Sequence, residues 1–117
     1  MSQVTVYHNP RCAKSRQTLL LIEQHGLQPK IHLYLQDALS ETEIKQLIQQ
    51  LGCASAVEMM RSKEPLFSAL GLTQTTSQEQ LIAAMAAHPQ LIERPIVVVG
   101  ERAKLGRPPE SVVEILP

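Results

Sequence analysis

The chain has 117 residues, which is enough for one domain with a single hydrophobic core. Hydrophobic residues make up 44% of it, and 11 Lys and Arg balance 11 Asp and Glu to give a formal net charge of zero. This balance favours neither nucleic acid nor an anionic membrane as a partner. We expect an ordinary soluble monomer.

Cysteine usage bears on the compartment. Cys12 and Cys53 are the two cysteines of the chain, too few for a disulfide framework. The start Met-Ser-Gln-Val lacks the basic and apolar segments of a secretory signal. These features predict a cytoplasmic protein with reduced thiols.

The chain begins with a predicted strand. Val4 and Val6 alternate with Thr5 and Tyr7, and this period of two is typical of a half-buried strand. His8 is a further candidate member of the strand. Asn9-Pro10 is a turn signal that ends it.

A helix and a second strand follow. The helix is predicted over residues 12–25 and ends at Gly26; its apolar stripe consists of Ala13, Leu19, Leu20 and Ile22. The next strand is predicted from three alternating apolar residues: Ile31, Leu33 and Leu35. Strand, helix and strand make a βαβ unit.

The middle of the chain, from about residue 40 to 92, predicts only helices. Ser40 to Glu43 forms a capping box for a helix that Gly52 closes. One or two short helices follow, with Arg61 in one of them and a break near Glu64-Pro65. Ser77 to Gln80 predicts a second capping box, for a helix that ends before Pro89.

The last quarter predicts two strands and a helix. Ile96-Val97-Val98-Val99 is β-branched throughout, which indicates a central buried strand. Residues 103–105 can pair with it as a hairpin, and a helix is predicted from Pro108-Pro109 to Leu116. The order predicts a single α/β domain, residues 1–117, of the thioredoxin/glutaredoxin-like type: βαβ, an all-helical insertion, then ββα, with a mixed four-stranded sheet.

Cys12 lies where the first strand gives way to the first helix. A cysteine at a helix start faces unpaired backbone N–H groups and the positive end of the helix dipole, which favour thiolate. Arg11, Lys14 and Arg16 add positive charge, and no acid occurs before Glu23. We therefore predict a nucleophilic thiolate. The alternative is a small, inert core thiol.

Cys12 has no resolving cysteine nearby, because Ser15 stands three residues later. A redox cycle through Cys12 therefore needs an external thiol. Cys53 follows a helix end and is interpreted as a buried bystander. Arg94-Pro95 precedes the central strand; in a thioredoxin-like layout that proline faces the cysteine, which would bring Arg94 beside it. The alternative for Arg94 is a surface charge.

The role of His8 has two interpretations. As imidazolium it would lower the pKa of Cys12, and as a neutral ring it would cap the turn. The other histidines, His25, His32 and His88, have neither ligand spacing nor a companion cysteine. We expect no metal site.

These residues, in this order, resemble one family, the glutaredoxin-coupled arsenate reductases and their relatives. The resemblance covers essentially the whole chain. The residues that carry it are Tyr7-His8-Asn9-Pro10-Arg11-Cys12, Ser15-Arg16, Leu33-Tyr34-Leu35, Arg61, Glu64-Pro65, His88-Pro89, Leu91-Ile92, Arg94-Pro95-Ile96-Val97-Val98, Gly106-Arg107-Pro108 and Glu110.

The resemblance implies that Cys12 attacks arsenate and that Arg61, Arg94 and Arg107 bind the oxyanion. It also implies glutathione as co-substrate and glutaredoxin as partner, with no bound cofactor. His8, Arg11, Ser15, Arg16 and Pro95 would support the site.

Two other functions stay open at this point. Some relatives look like glutathione-dependent thiol or disulfide reductases that act on another substrate. Others are non-catalytic proteins that bind RNA polymerase and sense oxidation through a Cys-x-x-Cys switch, and Ser15 in the position of the second cysteine weakens that interpretation.

Overall fold

The fold is organised around one four-stranded sheet. The computed structural model describes residues 3–117, in which β1 (Val4–Tyr7), β2 (Lys30–His32), β3 (Ile96–Val99) and β4 (Arg102–Leu105) lie in the order β2-β1-β3-β4. β1 pairs in parallel with β2, whereas the β1–β3 and β3–β4 pairs are antiparallel. The predicted mixed sheet, with β3 in its interior, is confirmed.

The helices divide between two compact units. One, here called the sheet unit, comprises the chain up to Asp37 together with Arg94–Pro117; the other, the helical unit, is Ala38–Glu93. The α-helices are α1 (Ala13–Gln24), α2 (Glu41–Leu51), α3 (Pro65–Ala69) and α4 (Gln78–Ala87), and the 3₁₀ helices are Ala56–Met59, Pro89–Leu91 and Pro109–Ile115. The helical unit occupies the place of the predicted insertion, and folding as one domain stays a prediction. No helix within residues 3–117 is long and apolar enough to cross a membrane.

The core of the sheet unit joins alternate strand residues to the two helices that cover them. Val6, Val97, Ile22 and Val112 are fully buried in one cluster. The 3₁₀ helix Pro109–Ile115 contacts both α1 and β4. Full burial of an aliphatic side chain of this size contributes about 1.5–3 kcal/mol, so this cluster fixes α1 against the sheet.

The helical unit is held by caps and by contacts of α4 with α2. In the predicted box, Glu43 N–H donates to Ser40 Oγ and Ser40 N–H donates to Glu43 Oε1, both over 3.1 Å. Ser55 and Glu58 form a second capping box that sequence analysis missed, although Ser-Ala-Val-Glu fits the pattern. At Ser77 the structure records one half of the predicted box, in which Gln80 N–H donates to the serine.

The predicted apolar stripe of the first helix is half right: Ile22 lies in the core and Leu19 packs against it, but Ala13 and Leu20 do not face the core. The buried residues of α1 are Ser15, Thr18 and Ile22, whereas Ala13 is exposed and Leu20 is 55% exposed. Small polar side chains can face the interior here because they find local partners: Thr18 Oγ1, for example, donates to Lys14 O. The helix also starts one residue later than predicted, and Cys12 is its N-cap with extended backbone.

The second strand is shorter than predicted. β2 ends at His32, and Leu33 O then accepts hydrogen bonds from the N–H groups of Gln36 and Asp37, which turn the chain. The turn breaks the period of two. Leu35 is consequently 46% exposed, while Tyr34 is almost fully buried.

Three further boundaries differ from expectation. His8 lies outside β1, and Arg61 lies beyond the short helix in which it was predicted, because Met60 forms a bridge with Ile92. The C-terminal helix is a 3₁₀ helix rather than an α-helix. Among the described residues no side chain caps its start, and β-branched Val112 and Val113 lower its α-helical propensity.

Candidate active site

The sheet register brings three chain segments to one end of the sheet unit. Tyr7, the last residue of β1, pairs with Ile96, and Ile96 pairs with Leu105. The residues that follow β1, precede β3 and follow β4 therefore leave the sheet at the same end. Cys12, Arg94 and Arg107 all belong to these segments.

The segment after β1 is a tight turn built on Asn9. Cys12 N–H donates to Asn9 O, and Arg11 N–H donates to Asn9 Oδ1, each at a donor–acceptor distance of 3.0 Å. A side-chain amide that accepts from the backbone two residues later is an Asx turn. Sequence analysis treated Asn9 only as a turn former, yet it accepts hydrogen bonds from the backbone amides of both Arg11 and Cys12.

Ser15 connects this turn to α1. Its side chain is completely buried, and its Oγ accepts from Asn9 N–H over 3.1 Å and lies 2.7 Å from His8 Nδ1. Burial, followed by the charge of Arg16, lowers the pKa of His8 below 6.5. The ring is therefore neutral near pH 7, and the Ser15 hydroxyl can donate to Nδ1. This geometry favours the neutral interpretation of His8.

The Cys12 sulfur lies half-buried at the start of α1. Burial is the largest influence on the Cys12 pKa and raises it, but the Ser15 N–H, the Arg94 side chain and the Lys14 N–H outweigh burial, so the pKa lies below 9.0. The N–H groups act at a helix start, although Cys12 makes no cap hydrogen bond of regular geometry. Sequence analysis expected the side-chain charges of Arg11, Lys14 and Arg16 to lower this pKa, whereas the charge that does so is that of Arg94.

Two arginines of the sheet unit meet at this end. Arg94 is half-buried beside Cys12, and its Nε is buried without a hydrogen-bond partner within residues 3–117. Arg107 is exposed, and its Nε donates to Arg94 O over 2.8 Å. Both Arg94–Pro95 and Arg107–Pro108 are cis peptide bonds. Gly106 N–H donates to Pro95 O over 2.9 Å, which joins the two segments.

The remaining predicted residues have different surroundings. Arg61 belongs to the helical unit, where its Nη1 lies 3.2 Å from Glu64 Oε2 and its N–H donates to Leu91 O over 2.7 Å. Arg16 Nη1 donates to Pro10 O, and Arg11 is exposed. The convergence of Arg61 with Cys12 stays a prediction.

Cys53 differs chemically from Cys12. It is a free cysteine of the helical unit and is partly rather than fully buried. Burial and then the charge of Glu58 raise its pKa. A raised pKa lowers the thiolate fraction at neutral pH, so Cys53 is the less reactive of the two thiols. Within the described part of the chain, no three His, Cys, Asp or Glu side chains gather as a metal site.

Known proteins share this architecture and sequence. The model of the ArsC family matches residues 7–115. An arsenate reductase from Haemophilus influenzae is 49% identical over 114 residues, which cover 97% of this chain and 98% of the relative. One from Neisseria meningitidis serogroup A is 40% identical over 117 residues, 99% of this chain and 100% of that protein.

The chain is also similar to solved structures. The arsenate reductase from Vibrio cholerae superposes with a TM-score of 0.95 at 51% identity and covers 98% of both chains. The predicted thioredoxin-like α/β fold is thereby confirmed. With the family model matching nearly its whole length, the chain belongs to the ArsC family.

Proposed function

We propose that this protein is an arsenate reductase in which Cys12 is the nucleophile. The observation that carries the proposal is the Cys12 sulfur, whose pKa is lowered by helix N–H groups and by Arg94. Thiolate is the form that attacks electrophiles. The named activity of the H. influenzae and V. cholerae relatives supports arsenate as the substrate.

The arginines would supply the oxyanion site. Arsenate is a tetrahedral anion near neutral pH, and planar guanidinium groups bind such oxyanions through paired N–H donors. Arg94 carries a buried Nε without a partner in residues 3–117, a donor suited to an anion beside the sulfur. Arg107 would contribute from the neighbouring segment, and Arg61 would be the third arginine.

The first step would form a sulfur–arsenic bond. The Cys12 thiolate attacks arsenic, one arsenic–oxygen bond breaks, and that oxygen leaves as water after taking up protons from solvent. Arsenic remains pentavalent at this stage. The positive charges of the arginines lower the repulsion between the thiolate and the anionic substrate.

Reduction of arsenic needs two electrons, which two thiols supply when they become one disulfide. Cys12 has no resolving cysteine in Cys-x-x-Cys spacing, because residue 15 is a serine, whose hydroxyl bonds to His8 and Asn9. We therefore propose glutathione as the thiol that attacks the adduct and glutaredoxin as the protein that completes the release of arsenite. His8, Ser15, Arg16 and Pro95 would hold the segments that carry Cys12 and Arg94.

The test is an arsenate-dependent assay with glutathione, glutaredoxin, glutathione reductase and NADPH, followed at 340 nm. Cys12→Ser should abolish turnover, and the matched control Cys53→Ser should retain it. Arg94→Lys should lower turnover by roughly a hundredfold to a thousandfold, as loss of an oxyanion donor does.

Two outcomes would redirect the proposal. Turnover of a small disulfide without any arsenate reduction would favour the thiol reductase. Arsenate reduction that needs thioredoxin instead of glutaredoxin would keep the reaction and replace the reductant. Neither cysteine variant is expected to unfold the protein, and circular dichroism checks this.

A further inference from the structure

Gly106 differs from the other glycines of the chain. Four of the five glycines, all within residues 3–117, have a positive φ, a conformation that favours glycine: Gly26, Gly52, Gly71 and Gly100. Gly106 does not have a positive φ, so its backbone conformation does not account for the glycine. It directly follows β4 and is buried. The reason for a glycine here therefore lies in its neighbours.

Two neighbours leave no room for a side chain at Gly106. A methyl carbon at this position would lie 2.5 Å from Thr18 Oγ1 and 2.6 Å from Pro95 Cγ. Non-bonded carbon atoms pack best at about 3.5–4.0 Å, so both contacts are too short for a Cβ atom. At Gly26, by contrast, a methyl carbon would meet no atom of residues 3–117 within 4 Å, apart from those of its chain neighbours. Close packing therefore favours glycine at position 106.

Neither neighbour can yield easily. Thr18 is completely buried in α1 and β-branched, and its Oγ1 donates to Lys14 O over 2.8 Å. The Pro95 ring is buried and is covalently closed onto its own backbone. Gly106 is held to the same residue, because its N–H donates to Pro95 O over 2.9 Å. A methyl group at Gly106 would therefore displace α1 relative to the segment before β3, by roughly 1 Å.

The two neighbours belong to the elements that carry the reacting groups. Cys12 is the N-cap of α1, and Thr18 lies farther along the same helix. Arg94 directly precedes Pro95, and its side chain hydrogen-bonds to the Cys12 thiol and lowers the Cys12 pKa. The contact between Cys12 and Arg94 therefore joins the same two elements that meet at Gly106.

We propose that Gly106 is a positioning residue of the active site: because it has no side chain, α1 and the segment before β3 approach closely enough for Arg94 to reach the Cys12 sulfur. The proposal rests on the proposed function in taking Cys12 as the reacting thiol. The effect of Gly106 on the reaction passes through Arg94. An alanine at this position would weaken the contact with the thiol and the oxyanion site together.

The rate of alkylation by iodoacetamide against pH tests the proposal without arsenate, with the Cys53→Ser protein as the parent. Gly106→Ala should raise the Cys12 pKa, because it displaces Arg94 from the sulfur. The rise should not exceed that of Arg94→Ala, since the N–H groups at the start of α1 move together with Cys12. For the same reason, Arg94→Ala should raise the pKa less in Gly106→Ala than in the parent. In the arsenate assay, kcat of Gly106→Ala should fall by roughly tenfold to a hundredfold.

Gly26→Ala is the matched control for a general loss of stability. It places a side chain at a residue of positive φ that follows α1, at the end of the helix remote from Cys12. The substitution should therefore destabilise the protein through backbone strain without displacing Arg94. Urea unfolding measures the stability of both glycine variants, and the Cys12 pKa of Gly26→Ala should equal that of the parent.

A second substitution tests whether the contact with Thr18 causes the effect. Thr18→Ala removes the oxygen that the methyl group would meet, so Thr18→Ala/Gly106→Ala should have a lower Cys12 pKa than Gly106→Ala. Thr18→Val keeps an atom at that place and should give no such recovery. If Gly106→Ala does not fold, Thr18→Ala/Gly106→Ala is compared with Thr18→Ala, and its Cys12 pKa should be the higher one because the contact with Pro95 remains.

Three results would overturn the proposal. One is a parental Cys12 pKa in Gly106→Ala, and another is an equal rise in Gly26→Ala. The third is full additivity of Gly106→Ala and Arg94→Ala, which would show that Gly106 does not act through Arg94. Failure of the proposed function appears separately, as absent arsenate turnover in a parent protein whose Cys12 pKa still responds to Gly106→Ala.

Discussion

The Nε of Arg107 donates a hydrogen bond of 2.8 Å to the carbonyl oxygen of Arg94. Arg94 in turn places its side chain beside the Cys12 sulfur and lowers the Cys12 pKa. The bond joins the segment after β4 to the segment before β3. Arg107 thus holds the backbone from which Arg94 reaches the thiol.

This relationship predicts that Arg107→Ala raises the Cys12 pKa. The rise should be smaller than in Arg94→Ala, because Arg107 acts through the position of Arg94 whereas Arg94 acts on the sulfur directly. The rate of alkylation by iodoacetamide against pH, in the Cys53→Ser background, measures both values.

The control for this series is Arg102→Ala, which removes an exposed arginine at the other end of the sheet and should leave the alkylation midpoint unchanged. An Arg94→Ala protein with a wild-type midpoint would contradict the direct role of Arg94. An Arg107→Ala midpoint above that of Arg94→Ala would contradict the order of the two effects.

His8 should make the protein less stable in mild acid. Burial and the charge of Arg16 lower its pKa below 6.5, so the unfolded chain takes up a proton at a higher pH than the folded protein does. The contribution of the neutral His8 ring to the stability of the protein is complete above pH 6.5. It is lost as the pH falls from 6.5 toward the pKa of His8 in the folded protein.

Urea unfolding between pH 5 and 8 tests this expectation. His8→Gln removes the titration but keeps an amide that can bond to Ser15, so its free energy of unfolding should fall less steeply below pH 6.5 than that of the wild type. His8→Ala should share the shallower slope and be less stable at every pH. Equal slopes in wild type and His8→Gln would exclude a lowered His8 pKa.

Sequence patterns predicted the fold because hydrophobic period and capping chemistry are local signals. The run Ile96 to Val99 predicted an interior strand, and Ser40 with Glu43 predicted the start of a helix. These patterns failed at positions whose burial is decided by tertiary contacts. Ser15 is a polar residue that periodicity places outside a core, yet its partners His8 and Asn9 are brought to it by the turn between β1 and α1.

The same distinction applies to the site. Cys12 was found by its position at a strand-to-helix junction, a local feature. The cations Arg11, Lys14 and Arg16 were expected to lower its pKa because they are near in sequence. Arg94 lowers the Cys12 pKa instead, and the proximity of Arg94 to Cys12 depends on the pairing of β1 with β3. Nearness in sequence was a poor guide, because all three residues are exposed and the Arg16 side chain bonds to Pro10 O.

Ser15→Ala should destabilise the protein by about 1–3 kcal/mol, the cost of leaving buried polar groups without partners. The substitution removes the acceptor of Asn9 N–H and the partner of His8 Nδ1 at a completely buried position. Urea unfolding at pH 7 measures the change. Ser68→Ala, at an exposed position of α3, is the control and should change stability by less than about 0.5 kcal/mol. A Ser15→Ala protein as stable as its control would remove Ser15 from the network.

The lowered Cys12 pKa also predicts how stability depends on alkaline pH. Because the folded thiol loses its proton below 9.0, the unfolded chain binds more protons between the folded pKa and 9.0, and stability rises with pH across that window. Cys12→Ser lacks this gain, so the difference in unfolding free energy between parent and variant should grow from pH 6.5 to 9.5. Both proteins carry Cys53→Ser, since the raised pKa of Cys53 acts in the opposite direction. A difference that stays constant or shrinks would show that the fold does not stabilise the thiolate.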